Sequence, residues 1–179
     1  VGFLCFNFHD AAQSRNIKIQ FNHQPDKFEG AVDTIAFRKI VNNLLDNGIK
    51  YGASYIKVDL TCDGDNFIVS FKNDGTPIPE SRRESIFKPF VQYSSDQSPY
   101  SQSFGIGLAY ARNLAELHGG TLTLGECERY TEFVLTMPLR TVPSVKAEDE
   151  DEDEDLENIV KRSDLPLVMI VEDNFGLLT

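Results

Sequence analysis

Residues 38–51, RKIVNNLLDNGIKY, combine the period of an amphipathic helix with an unusual polar face. At about 100° per residue one side of this helix is apolar and should pack on a core. Asn43 and Asn47 fall on the opposite stripe, although Asn is a mediocre helix former. Two readings stay open here: incidental asparagines on a solvated face, or carboxamides with a function. The apolar positions are Ile40, Val41, Leu44, Leu45 and Ile49.

The length of 179 residues is enough for one domain with a substantial core. A content of 41% hydrophobic residues is normal for a soluble globular protein, and no apolar run approaches the roughly 18 residues of a membrane span. The first residues, VGFLCFNF, show neither a signal-peptide pattern nor an initiator methionine, so we expect a piece of a longer protein. Cys5, Cys62 and Cys127 are isolated, which predicts reduced thiols in a cytosolic setting.

The formal net charge of −11 is concentrated towards the C-terminus. Residues 141–165 contain 10 acidic and 3 basic residues, whereas residues 1–140 contain 16 acidic and 14 basic residues. The expected folded part is therefore nearly neutral and lacks the basic stripe that nucleic-acid binding requires, so no direct nucleic-acid contact is expected. The run over 148–157 is almost wholly acidic and predicts a solvated, disordered linker.

Hydrophobic periodicity predicts a mixture of strands and helices between residues 14 and 140. Residues 1–13 are expected to be the end of a preceding helical region, and Asp33 is a plausible N-cap for the long helix. After the strand that contains Phe67 and Phe71, the period of two also places Asn73 on the buried face. The predicted strands are 16–21, 28–32, 54–61, 67–71, 121–125 and 132–138, and the predicted helices are 33–50, 80–87 and 105–117.

Three further segments carry features that chemistry can use. The loop from Asn73 to Pro79 is rich in turn-forming residues and follows a strand. Residues 92–104 form a long polar stretch, and long loops inside a compact domain are usually functional. Gly105 and Gly107 open a helix, where backbone N–H groups form a favourable site for an anion.

Four segments, namely residues 38–51, the loop from Asn73 to Pro79, IFKPF at 86–90 and the turn at Gly105 and Gly107, occur in that order. Their order and content resemble the N, G1, F and G2 boxes of the catalytic, ATP-binding domain of sensor histidine kinases. The resemblance covers about residues 1–140, with the ATP-binding domain over 14–140. It implies the α/β (α+β) fold of that family: a two-layer sandwich whose mixed, mostly antiparallel sheet is covered by about three helices on one face. The tail at 166–179, which contains VMIVEDN, resembles the truncated first strand of a response-regulator receiver domain. A kinase followed by an acidic linker over 141–165 and a receiver implies a hybrid histidine kinase.

The resemblance assigns roles in binding ATP and Mg²⁺ to the polar face of the long helix. Asn47 is implied as the metal ligand, and a carboxamide oxygen suits a hard cation such as Mg²⁺. Asn43 is implied to lie beside it and help hold the phosphates and the metal. Lys50 would contact phosphate oxygens, and Tyr51 would pack near the base or ribose. For Lys50 a solvated surface charge is the alternative.

In the G1 box the chain departs from the family pattern. Asn73 stands where most relatives have an aspartate that accepts a hydrogen bond from the adenine amino group. Its carbonyl oxygen can still accept, but its NH₂ group needs another partner. Gly75 permits close approach of the base, Pro77 replaces a second glycine, and Ile78 is expected to contact the nucleotide. A simple turn is the alternative for this loop.

The resemblance implies further contacts around residues 88–104, which would form a lid over the nucleotide. Phe87 and Phe90 would anchor or hinge this lid, or serve only in the core. The backbone of the G2 box would meet the triphosphate. The lid has no basic residue after Lys88, so charge compensation would fall to Mg²⁺, Lys50 and backbone dipoles. The implied G2-box residues are Gly105, Ile106, Gly107 and Leu108.

Three functions are compatible with these sequence features. The leading one is transfer of the γ-phosphate of ATP to a histidine on a separate dimerisation domain. The parent is expected to be a homodimer anchored in a membrane, with this part in the cytoplasm. ATP-hydrolysing relatives of the same fold carry a glutamate base where Asn43 stands, and a carboxamide cannot take a proton at neutral pH. A module that binds nucleotide without activity is the third. His9, His23 and His118 are expected to be non-catalytic, and Glu172 and Asp173 would be metal-binding acids of the receiver.

Overall fold

The computed structural model describes residues 1–24, 28–91, 104–126 and 129–139, with the backbone alone for 28–30 and 168–171. One five-stranded sheet carries helices on one of its faces. The helices are α1 (Gly2–Asn7), α2 (His9–Gln13), α3 (Thr34–Tyr51) and α4 (Gly107–Leu117). The strands are β1 (Lys18–Gln24), β2 (Phe28–Ala31), β3 (Tyr55–Cys62), β4 (Asn66–Asn73), β5 (Thr121–Leu124), β6 (Thr131–Pro138) and β7 (Val168–Val171).

The main sheet has the strand order β1-β3-β4-β6-β5. β1 runs parallel to β3, and the other neighbouring pairs are antiparallel. The predicted two-layer α/β architecture with a mixed, mostly antiparallel sheet is thereby confirmed. β4 lies in the middle of the sheet, so its C-terminal end at Asn73 is flanked on both sides by other strands.

Alternation along the central strands places one set of side chains under the helices. β4 alternates between half-buried and buried positions over its whole length, and β3 does so from Ile56 to Leu60. Phe67 lies beneath α3, where its ring meets the ring of Phe37 edge-on at 5.6 Å between centroids. Asn73 continues this alternation and is only 4% exposed, as the period of two predicted.

Helix α3 is fixed at both of its ends. At the start, Oδ1 of Asp33 accepts hydrogen bonds from the N–H groups of Ile35 and Ala36, both at 2.9 Å, which confirms the predicted N-cap. At the end, Nη1 of Arg15 donates to the carbonyl oxygens of Ile49 and Lys50 at 2.5 and 3.1 Å. The turn between α2 and β1 therefore holds the last turn of α3, which no sequence pattern indicated.

Some predicted elements differ in the structure. Residues 80–87 form two short 3-10 helices, at Glu80–Arg82 and Ser85–Phe87, rather than one continuous helix. The hydroxyl of Ser85 donates to the carbonyl of Arg82 at 2.9 Å, a local bond that competes with helical pairing. The segment 1–13 is broken into two short helices at Phe8, and α4 begins at Gly107, two residues later than predicted.

The C-terminal strand β7 pairs antiparallel with β2, with Phe28 opposite Val171 and Ala31 opposite Val168. The pairing joins the tail segment to a strand near the start of α3. The predicted acidic linker lies outside the described residues. In the part of the chain that the structure describes, no helix combines the length and hydrophobicity needed to span a bilayer. Cys5 and Cys62 are free thiols, and burial raises the pKa of Cys5 to about 11.

Candidate functional site

The polar face of α3 meets the start of α4. Asn43 and Asn47 are both half-buried on this face. Nδ2 of Asn43 donates to the carbonyl oxygen of Lys39, one turn earlier, at 2.8 Å, so the atom left for other contacts is the accepting Oδ1. A β-carbon added at Gly107 would lie only 2.7 Å from that Oδ1. The space beside the Asn43 oxygen therefore exists because residue 107 has no side chain.

The first turn of α4 presents backbone N–H groups at this meeting point. Helices leave their first N–H groups without intrahelical partners, and the helix dipole favours an anion there. Gly105 precedes the helix with a φ of 66°, and a β-carbon there would lie 2.7 Å from the carbonyl oxygen of Val91. The carbonyl of Gly105 accepts from the N–H of Phe90 at 2.9 Å. Glycines at 105 and 107 thus keep the approach to the helix start free of side chains.

The last turn of α3 supplies a cation and an aromatic ring. Nζ of Lys50 lies 5.1 Å from the centre of the Tyr51 ring, within the range of a cation–π contact. Tyr51 is partly exposed, and its backbone carbonyl contacts the loop after β4. A β-carbon at Gly75 would lie 1.8 Å from that carbonyl oxygen, so the loop packs directly on the end of the helix. This close approach is the physical reason for glycine at position 75.

Asn73 ends β4 beneath this loop. Its Oδ1 accepts a hydrogen bond from the N–H of Gly75 at 3.1 Å. Asn73 is 4% exposed, so this bond links the buried end of the strand to the loop that follows it.

Asp74 is a structural residue of the site that the sequence patterns missed. Its carboxylate accepts from the N–H groups of Ala53, Ser54 and Tyr55 at 2.9 to 3.1 Å and from the Ser54 hydroxyl at 2.5 Å. Burial alone would raise the pKa of Asp74, but the hydrogen bonds from Ser54 and its neighbours outweigh burial and lower the pKa to about 2. Asp74 thereby ties the loop that carries Asn73 and Gly75 to the chain that leaves α3. An acidic residue inside a strand-to-loop turn was the available signal.

The aromatic residues of the F box separate into two environments. Phe87 is buried, with its ring edge-on to Phe133 at 6.2 Å and the guanidinium carbon of Arg112 4.7 Å from its centre. Phe90 is 77% exposed and has a φ of 64°, which is uncommon for a bulky side chain. Ile78 is half-buried against the core. Residues 92–103 of the predicted lid lie outside the described residues.

His118 makes contacts that are structural. Nδ1 of His118 lies 2.8 Å from the carbonyl oxygen of Leu114, and its Nε2 lies 3.3 Å from Oδ2 of Asp33. His118 therefore connects the end of α4 to the N-cap of α3. Within the described ranges, no group of three or more His, Cys, Asp or Glu side chains is arranged to hold a metal ion. A metal at this site would need amide oxygens and oxygens of a ligand.

Comparison with known proteins adds the decisive observation. The sequence profile of the family described as histidine kinase-, DNA gyrase B-, and HSP90-like ATPase matches residues 32–141. The chain belongs to this ATPase family. The matched range contains α3, the loop after β4 and the start of α4, which are the three elements that meet at the site.

Curated relatives of this ATPase family domain are sensor histidine kinases. The sensor histidine kinase GtrS of Pseudomonas aeruginosa is 30% identical over 132 residues, which cover 66% of this chain and 27% of GtrS. CusS of Escherichia coli K12, also a sensor histidine kinase, is 29% identical over 136 residues, or 74% of this chain and 28% of CusS. The chain thus spans little more than a quarter of the length of these relatives.

Solved structures share the fold of the domain. The nucleotide-free catalytic domain of the histidine kinase ThkA matches with a TM-score of 0.67 and 24% identity, covering 77% of this chain and 90% of that one. Full-length ShkA in complex with AMPPNP matches with a TM-score of 0.68 and 22% identity, covering 79% of this chain and 29% of that one. At these identities the likeness supports the fold assignment.

Proposed function

We propose that this domain binds Mg²⁺-ATP and donates the γ-phosphate to a histidine on a separate dimerisation domain of the same protein. The observation that carries the proposal is the meeting of Asn43 and Gly107, which leaves an amide oxygen and the N-terminus of α4 side by side. Membership of the ATPase family and the sensor histidine kinases among the relatives support it. Phosphoryl transfer depends mainly on positioning and electrostatic stabilisation, which such a rigid arrangement provides.

The residues present fit a nucleotide and one divalent cation. Mg²⁺ usually takes one or two protein oxygens and completes its shell with phosphate and water, so Asn47 as ligand with Asn43 nearby is sufficient. Lys50 and the first N–H groups of α4 would balance phosphate charge, and Tyr51 would pack against the base or ribose. When bound, Mg²⁺ neutralises charge on the phosphates. The base would lie near Asn73, Gly75 and Ile78, and Leu108 and Ile106 would border the phosphates with the two glycines.

The side chain at position 43 favours transfer to a strong nucleophile over hydrolysis. Hydrolysis needs a base that takes a proton from water, and a carboxamide cannot do so at neutral pH. Nδ2 of Asn43 is occupied by its hydrogen bond to the Lys39 carbonyl, so Oδ1 is the atom left for the site. This oxygen can accept a hydrogen bond or bind a cation, but it does not take up a proton at neutral pH. The domain would therefore bind ATP without the base that hydrolysis needs.

The parent protein is proposed to be a homodimeric hybrid histidine kinase. Residues 1–13 would end a helical region that leads from the dimerisation domain, and residues 14–140 would form the ATP-binding unit. The acidic stretch 141–165 would link it to a receiver domain that begins at 166–179. This part would lie in the cytoplasm, in a parent that is anchored in a membrane. Phe87 and Phe90 would anchor a lid over residues 88–104.

Isothermal titration calorimetry with ATP, in the presence and absence of Mg²⁺, tests the proposal. We expect Mg²⁺-dependent binding at micromolar to millimolar ATP, with Asn47→Ala weakening it at least about tenfold because the metal loses its protein ligand. Asn113→Ala changes the same residue type at an exposed position of α4 and should leave affinity unchanged. Absence of binding to the wild type at millimolar ATP would show a domain that has lost nucleotide recognition.

Phosphoryl transfer requires the parent protein for its test. In the parent, radiolabelled ATP should give phosphohistidine in the wild type and little or none in Asn47→Ala. The isolated domain should bind nucleotide without labelling itself. Full-rate labelling in Asn47→Ala would overturn the metal-ligand assignment, and stable phosphohistidine on the isolated domain would overturn the separate-acceptor mechanism.

A further inference from the structure

The hydrogen-bond ladder of helix α3 is interrupted at its C-terminal end. In a continuing helix, the N–H groups of Ala53 and Ser54 would each donate to a carbonyl four residues earlier. They donate instead to the carboxylate of Asp74, at 2.9 to 3.1 Å. The carbonyls that they would have reached, those of Ile49 and Lys50, are therefore left to another donor.

Arg15 supplies that donor from a segment outside the helix. Its Nη1 lies 2.5 Å from the carbonyl oxygen of Ile49 and 3.1 Å from that of Lys50. Arg15 belongs to the turn between α2 and β1, where its own N–H and that of Ile17 donate to the carbonyl of Ala12 at 3.0 and 2.9 Å. The negative end of the helix dipole also favours a guanidinium at this place. The contact thus joins the chain before the sheet to the last turn of α3.

We propose that Arg15 is a positioning residue of the nucleotide site, which holds the last turn of α3 so that Lys50 meets the triphosphate. The inference rests on the proposed nucleotide-binding function and adds a residue that does not itself touch the nucleotide. Helix ends whose carbonyls lack partners fray in their last turn. Lys50 stands in this turn, and a contact to a phosphate depends steeply on the position of the charge.

Arg15 and Asp74 hold opposite sides of the same interruption. Asp74 accepts from residues 53–55, whereas Arg15 donates to the helix carbonyls, and neither side chain can do the work of the other. Tyr51 is also held from the loop side, because its carbonyl packs against Gly75. Loss of Arg15 should therefore weaken the binding of the phosphates and leave the binding of the base largely intact.

A double-mutant cycle between Arg15 and Lys50 tests this role. The affinity for Mg²⁺-ATP is measured by competition with a fluorescent nucleotide in the wild type, Arg15→Ala, Lys50→Ala and the double variant. We expect Arg15→Ala to weaken ATP binding about three- to tenfold in the wild type, but less than about twofold when Lys50 is already alanine. Arg38→Ala removes the same charge at an exposed position about 18 Å away along α3 and should change the affinity by less than about twofold.

Two comparisons distinguish positioning from a general loss of stability. Adenosine has no phosphate, so its affinity for Arg15→Ala should stay within about twofold of that for the wild type. Arg15→Lys keeps the positive charge and a donor without the planar fork, so it should restore part of the ATP affinity. Circular dichroism melting establishes that each variant is folded at the assay temperature. A purely structural role would weaken adenosine and ATP alike.

The possible results separate this inference from the proposed function. If the wild type and Arg15→Ala bind Mg²⁺-ATP equally well, the positioning role is wrong and the nucleotide site stands. The same conclusion follows if the loss is as large in the Lys50→Ala background, or if adenosine weakens as much as ATP. If Lys50→Ala binds ATP as tightly as the wild type, the phosphate contact of Lys50 is wrong and this inference fails with it. If the folded wild type binds no ATP at millimolar concentration, both proposals fail.

Discussion

The carboxylate of Asp74 offers a sharp test of how the site is held together. It accepts the N–H groups of Ala53, Ser54 and Tyr55 together with the Ser54 hydroxyl. Asp74→Asn keeps one accepting oxygen, loses the charge and places an NH₂ group among donors. We therefore expect the substitution to lower the free energy of unfolding at pH 7, because hydrogen bonds to a charged acceptor are stronger than those to a neutral one.

The magnitude follows from the pKa of Asp74. A fall from 3.8 to about 2 corresponds to roughly 2 kcal/mol, at about 1.4 kcal/mol per pKa unit. The side chain is only partly shielded from water, so screening reduces the expected effect to about 1 kcal/mol. For a domain of this size, that loss lowers the melting temperature by about 2–4 °C.

The pH dependence of this effect has a defined sign. Because the pKa is lower in the folded state, the stabilisation is fully present above the unfolded value of 3.8 and is lost as pH falls from there towards about 2. Urea unfolding followed by circular dichroism should therefore show a gap between wild type and Asp74→Asn at pH 7 that narrows near pH 2.5. Asp65→Asn removes the same charge in an exposed turn and serves as control. Equal stability at pH 7, or a gap that stays undiminished at pH 2.5, would refute the reasoning.

Two further substitutions test other contacts of the site. Gly107→Ala places a β-carbon 2.7 Å from Oδ1 of Asn43, so ATP affinity should fall at least about tenfold in a nucleotide titration. The free energy of unfolding should change by about 1 kcal/mol or less. Unchanged ATP affinity would contradict the role of this contact. Arg15→Ala leaves the last carbonyls of α3 to water and should lower the free energy of unfolding by about 1 kcal/mol in urea denaturation, whereas the exposed control Arg38→Ala should change it by less than about 0.5 kcal/mol. Equal effects of the two arginine substitutions would argue against helix capping by Arg15.

Hydrophobic periodicity predicted the helix and the two central strands on which the site is built. The apolar face of α3 and the alternation in β3 and β4 were correct, since burial on one side leaves a regular trace in the sequence. The region 80–87 is helical as predicted, but as two short 3-10 helices and not as one continuous helix. Its polar residues lack a helical apolar face, and the Ser85 hydroxyl bonds locally to Arg82.

Particular contacts of the site were beyond the reach of sequence patterns. Asp74 was passed over because its partners lie 19 to 21 residues earlier in the chain, and no local spacing relates them. The same is true of Arg15, whose carbonyl partners lie 34 and 35 residues away. Short motifs indicate which residue types are present, whereas hydrogen bonds between distant segments depend on how strands and helices are brought together.

The sequence by itself determined the helix with two asparagines, the position of Asn73 on the buried face, and the likeness to a histidine kinase ATP-binding domain. These features follow from local periodicity and from the order of short motifs, and both can be recognised in a sequence without knowing how the chain packs. Only the tertiary structure decided that Gly107 leaves space for the Asn43 oxygen and that Gly75 fixes the orientation of the Asn73 carboxamide. The first is a contact between residues far apart in the sequence, and the second depends on the side-chain conformation of Asn73. Both are set by the packing of the loop and the helices against the sheet.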